Sequence, residues 1–130
     1  MAAASVQVGP VVSGCRRSGK NYRIKINPIC NTDATSATFT VGTISLNGEP
    51  LTGVFVSTDP GATSGTLTVT LSPATAAGPN CTPVYVFGTH GSATLTTASF
   101  VVGYTIAGAY PGNGSTTGTI DLQNGCTATN

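Results

Sequence analysis

Gly14 to Asn21, GCRRSGKN, departs at one position from the phosphate-binding loop G-x-x-x-x-G-K-S/T, so nucleotide chemistry is the first possibility to weigh. Two features exclude it. Asn21 stands where a hydroxyl must hold magnesium, and such a loop must open a helix whose N–H groups meet the phosphates, whereas the alternation that follows predicts a strand. His90, in GTHGS, is the single imidazole available as a general base, and its glycine-flanked setting marks a turn residue. The hydrolase elbow G-x-S-x-G is absent. Asp33, Glu49, Asp59 and Asp121 fall in four separate segments with no sign of a paired acid and base, and no cluster offers three ligands at zinc or calcium spacing. The chain is therefore expected not to be an enzyme, with no catalytic residue, cofactor or metal assigned.

The one anomaly is where the charge lies. Arg16, Arg17, Lys20, Arg23 and Lys25 are the only Lys or Arg residues and all fall within CRRSGKNYRIK, while the four acids all follow. The plainest reading is a solvated strand face: Arg23 and Lys25, about 7 Å apart, repel by only about 0.6 kcal/mol in water. Nucleic acid is not the expected partner, because no basic residue outside this stretch extends the patch and the net charge is +1. A third reading sets Arg16, Arg17 or Lys20 against an acid of a neighbouring copy, a contact that would fix orientation more than affinity.

The elements that must position these residues are strands. "NYRIKIN" alternates Tyr22, Ile24 and Ile26 inward against Arg23 and Lys25 outward, and Pro28 should end it. Ala37, Phe39 and Val41 share a face with Ile44 and Leu46 only if the parity flips at Gly42, which predicts a bulge. Asn47-Gly48 fits a tight hairpin turn. "TLTVTLSP" places Leu67, Val69 and Leu71 on one face, "TPVYVFGTH" and "SATLTTASFVVGYTI" are further strands, "PGNGSTTG" reads as a loop, and "GTIDLQNG" as the last strand. No segment has helical period. The expected fold is all-β: an antiparallel β-sandwich, jelly-roll or Ig-like, of about seven to nine strands. Residues 1–14 read as an uncharged extended arm and 15–130 as a single sandwich domain.

With 130 residues, 39% of them hydrophobic and only 7% charged, Thr, Ser, Gly and Asn must supply most of the polar surface. So little charge favours association. No apolar run reaches the roughly 18 to 20 residues of a membrane-spanning helix. The opening "MAAASVQVGPVV" lacks the basic and apolar regions of a secretory signal, which implies either a mature form with an added Met or release by lysis. Cys15, Cys30, Cys81 and Cys126 are even in number with no C-x-x-C spacing, so disulfides are expected. Three pairings are open, Cys15 with Cys30 and Cys81 with Cys126 being the most local, and a bond between subunits is a further option. Asn80 and Asn113 match the glycosylation sequon N-x-S/T in segments expected to be exposed loops.

In style the uncharged sandwich, its arm, its cysteines and its Thr-rich strands resemble the subunits of bacterial and archaeal surface fibres, bacterial endospore appendages above all. That resemblance implies a jelly-roll core, export without a signal peptide, and an N-terminal connector whose cysteines bond to other subunits. Here Cys15 alone could take that role, although it follows fourteen residues where the appendage connectors carry cysteines near the N-terminus. The expected function is a self-assembling structural fibre or pilus subunit, extracellular or on a cell or spore surface. Residues 1–14 would add a strand to a neighbouring copy, Val6 and Val8 filling its pockets. An adhesin or carbohydrate-binding module using loops around Tyr85, His90, Tyr104 and Tyr110, with a surface or glycan target, is the alternative; a viral capsid or decoration protein is a further one.

Overall fold

The structure is a computed structural model describing residues 6–108 and 111–127. Its strands are β1 (Val6–Val8), β2 (Val11–Ser18), β3 (Asn21–Asn31), β4 (Ala37–Leu46), β5 (Glu49–Pro50), β6 (Thr52–Ser57), β7 (Thr68–Leu71), β8 (Asn80–Thr89), β9 (Thr97–Ala107) and β10 (Gly112–Asn124). One layer runs β2-β3-β8-β6, with β1 beside β2 on the same edge of β3; the other runs β4-β9-β10, with β5 and β7 on the free edge of β4. Every pairing is antiparallel except that of β10 with β2, where Leu122–Asn124 run parallel to Gly14–Arg16 and join the layers. That order matches the A-B-E-D and C-F-G sheets of the immunoglobulin sandwich, with β1 and β2 as a split first strand. Of the two expected topologies, the Ig-like one is observed.

The core forms where the alternations meet. Tyr22, Ile24 and Ile26 of β3 and Val84 and Val86 of β8 share one interior with Phe39, Val41, Ile44 and Leu46 of β4, Phe100 and Val102 of β9, and Ile120 and Leu122 of β10. The parity flip at Gly42 is a register shift between Val41 and Ile44 against β9. Asn47 and Gly48 turn the β4-β5 hairpin with φ of 52° and 81°, the left-handed values that a tight primed turn needs.

Four local expectations differ. Pro28 does not end its strand: it lies at the irregularity between Ile26 and Ile29, where a residue without an N–H breaks no ladder bond, and its carbonyl accepts a hydrogen bond from Gly9 N–H at 2.8 Å. From Gly112 the expected loop is strand, paired residue for residue with β9 from Ile106 onward. Glycine serves here because rings cover it; a Cβ on Gly114 would lie 2.7 Å from the Tyr104 hydroxyl and one on Gly118 3.0 Å from the Phe100 ring. Leu67, expected inward, is 43% exposed, because it precedes β7, in which Leu71 is buried. Residues 1–14 are not a separate unit over their described part, since β1 pairs with β3 and the expected boundary falls inside β2, where Val11 is buried.

The cysteines pair across the fold, Cys15 with Cys126 and Cys30 with Cys81, and not by the local route. Topology dictates this. Cys30 and Cys81 sit directly opposite on β3 and β8, and the parallel seam brings the end of β10 beside β2. No cysteine is free among the described residues, so neither bridge leaves Cys15 available to another subunit.

Candidate functional site

The outer face of the β2-β3-β8-β6 layer collects most of the charge. Register places Arg23, Phe87 and Phe55 in one row and Lys25, Tyr85 and Ser57 in the next. The cations lie over the rings: Arg17 is 4.8 Å from the Phe87 centroid, Arg23 4.9 Å and Lys25 5.9 Å from that of Tyr85. Phe87 is itself stacked on Phe55 at 4.6 Å, 6° from parallel. Such contacts are worth about 0.5–2 kcal/mol each, more as water is excluded. They also explain why β8 is buried on both faces, from Val84 to Phe87.

Arg23, expected on a solvated face, is 2% exposed. The segment after β6 and the end of the chain fold over it: Nη1 donates to Pro60 O at 2.7 Å, and Nη2 donates to Thr127 O. Burial pulls its guanidinium below the ordinary arginine value; Tyr85 opposes that effect and Arg17 adds to it. An arginine starts so high that it stays charged at any physiological pH. The segment covering it is braced, Asp59 Oδ1 accepting from Gly61 N–H at 2.9 Å and Ser57 Oγ from Asp59 N–H at 3.0 Å.

The basic stretch thus divides by role. Arg16 spans the seam, donating to Asn124 Oδ1 at 2.7 Å and to Gly19 O at 3.3 Å. Lys20 is exposed in the β2-β3 turn, its carbonyl taking His90 N–H at 2.9 Å. Arg17, Arg23 and Lys25 form the aromatic face. None of Arg16, Arg17 and Lys20 pairs with a described acid.

The residues suggested for a binding loop do not converge. Tyr85 is buried beneath Arg23 and Lys25, Tyr104 is half-buried and stacked on Phe39 at 5.5 Å, and Tyr110 lies outside the described residues. Asn80 is half-buried at the start of β8, opposite Asn31, and Asn113 is exposed but within β10, so neither sequon lies in a loop. Among the described residues no three His, Cys, Asp or Glu side chains are placed to hold a metal, and no helix is long and apolar enough to cross a membrane.

His90 is a buried fastener rather than a plain turn residue. Its Nε2 lies 3.0 Å from Leu46 O and its Nδ1 2.9 Å from Ser92 N–H, so Nδ1 accepts, Nε2 donates, and the ring is neutral. Glu49, 3.7 Å from Nδ1, takes the Gly91 N–H instead. Tyr22 completes the latch, its hydroxyl donating to Ser92 O at 2.7 Å and accepting from Leu95 N–H at 3.2 Å. His90→Ala is expected to cost about 2–3 kcal/mol in urea unfolding, because a buried carbonyl and an amide lose their partners. His90→Gln, which can donate and accept at once, should recover part of that loss.

With the geometry in place, comparison with solved structures is informative. The chain is similar to PapD-like domain 7 of human CEP192, an ASH/PapD-like domain, with a TM-score of 0.50 over 93% of this chain and 85% of that one at 8% identity. The fold is Ig-like and PapD-like. A FixG-related protein from Vibrio parahaemolyticus is also similar, with a TM-score of 0.44 and 7% identity over 92% of this chain and 98% of that one. No protein-family model matches the sequence, and no curated protein matches it. The two disulfides of this PapD-like sandwich fit an oxidising environment.

Proposed function

We propose that the chain is a structural module that assembles with copies of itself outside the cytoplasm, by exchange of its first strand. The observation that carries this reading is β1. It is three residues long, it pairs only with Ile29–Asn31 at one end of β3, and it places Val6 in the core with Val8 packed against it. Gly9 and Pro10 separate it from β2. A neighbour's β1 would make the same ladder bonds and fill the same core position, so exchange needs no new contact surface, and the step from one copy to the next is head-to-tail. The sparse charge supports it: Asp121 is the one charged residue along β9 and β10, whose outward positions otherwise read Thr, Ser, Val, Ala, Asn, Gly and Gln.

The folded seam alters the truncation that tests this. Removing residues 1–14 would strip much of β2, so the deletion must stop at Val8. The full chain is expected to form oligomers by light scattering and filaments by negative-stain electron microscopy. The chain lacking residues 1–8 should be a folded monomer, less stable by about 2 kcal/mol for the lost Val6 burial. Val6→Asp should do the same in the intact chain. With both bridges internal, reducing and non-reducing gels should show the same single-chain band. Assembly that survives the deletion or Val6→Asp sinks the reading.

A further inference from the structure

At the end of the aromatic face a cavity of about 470 Å³ opens between Arg17, Arg23, Pro60, Gly61, Cys126 and Thr127. A smaller recess of about 150 Å³ shares Arg17 with it and has Phe55, Asn21 and Thr89 on its walls. We propose that this cavity binds the acid group of a small organic oxyanion, a carboxylate or phosphate ester of monosaccharide size, between the Arg17 and Arg23 guanidinium groups, with the body of the ligand over Phe55.

Charge supplies the first reason. Two guanidinium groups line one cavity, no Asp or Glu lines it, and Arg17 makes no ion pair with a described acid. Like charges held together repel, and an anion between them turns both interactions favourable in a partly desolvated setting, where they are stronger than in water. Planar guanidinium forks match the two oxygens of a carboxylate or phosphate, the geometry that makes arginine the usual choice for such groups.

Order supplies the second. Arg23 is held by its bonds to Pro60 O and Thr127 O and by its stack on Tyr85, and Arg17 lies over Phe87, which Phe55 backs. The cost of fixing two long side chains is therefore met in folding and is not charged again on binding.

Size and source narrow the ligand. Small-molecule cavities run from about 300 to 1,000 Å³, so this one is larger than a bare ion requires. The half-buried Phe55 ring offers an apolar surface for what carries the acid. A neighbouring copy is a poor source of the anion. Asp33 already accepts from Ala34 N–H and the Thr35 hydroxyl, Glu49 from Gly91, Asp59 from Gly61 and Asp121 from Thr97. A nucleic acid needs a longer basic track, and Arg16 is committed to Asn124.

The test is titration of the full chain, followed by NMR and calorimetry, with glucuronate, glucose 6-phosphate, inorganic phosphate and neutral glucose as probes. The two acidic sugars should bind more tightly than phosphate, glucose should not bind up to about 10 mM, and added salt should weaken the acids. Arg17→Gln, on the half-exposed side of the cavity, should weaken both acidic sugars by about tenfold or more at unchanged Tm. Phe55→Ala should weaken the sugars and leave phosphate unaffected. Equal binding of glucose, no effect of Arg17→Gln, or no binding of either acidic sugar would overturn the proposal. Phosphate binding as tightly as glucose 6-phosphate would reject the part assigned to Phe55.

Discussion

Cys15→Ser is expected to cost about 5 kcal/mol and Cys30→Ser about 4, from the chain entropy released when loops of 111 and 51 residues are opened. A domain's whole stability is about 5–15 kcal/mol, so losing both bridges should leave the chain unfolded at 37 °C. The same variants test the pairing. Cys15→Ser, Cys126→Ser and the double variant should unfold at one denaturant midpoint, because removing the second half of a broken bridge removes nothing more, whereas Cys15→Ser with Cys30→Ser should add. Non-additivity between Cys15 and Cys30 would mean the local pairing. Access separates the bridges further: Cys15 is fully buried and Cys81 is exposed, so limiting reductant should open Cys30–Cys81 first, as alkylation and peptide mapping would show.

The second large effect is expected at Asn31. Its side chain is fully buried at the end of β3, where Nδ2 donates to Thr35 O at 3.0 Å, Ser72 O at 3.2 Å and Leu71 O at 3.4 Å, while Oδ1 accepts from Asp33 N–H at 3.0 Å. One amide thus ties the 32–36 loop to the end of β7. Asn31→Ala leaves buried carbonyls and an amide without partners and should cost about 3 kcal/mol or more. Asn31→Asp should cost no less, since it sets a carboxylate against carbonyl oxygens that need a donor. Urea midpoints measure both. A loss under about 0.5 kcal/mol for Asn31→Ala would mean that water satisfies these groups and the tie is dispensable.

Asn31 also shows where sequence reading stops. In "CNTDATS" it looks like any other loop-forming asparagine, and its acceptors at residues 71 and 72 come from a strand forty positions away. Arg23 is similar. The alternation correctly set it on the outer face of β3, but an outer face is solvated only if nothing folds over it, and Pro60 and Thr127 do. The Arg-over-ring pairs could have been anticipated in part, because β8 carries Tyr85 and Phe87 at outward parity, yet only strand order shows that β8 lies beside β3.

Sequence alone determined what depends on neighbouring residues: the all-β class, the inward set of β3, the bulge at Gly42 and the turn at Asn47-Gly48. These follow from the two-residue period of a strand and the few residues that accept positive φ, both local properties of the backbone. Tertiary structure alone decided the Ig-like order, the crossed disulfides, the strand made from Gly112 onward and the burial of Arg23. Each of these depends on which distant segment lies alongside. In an antiparallel sandwich that is settled by the shared core and the ladder bonds between strands, which no window of sequence contains.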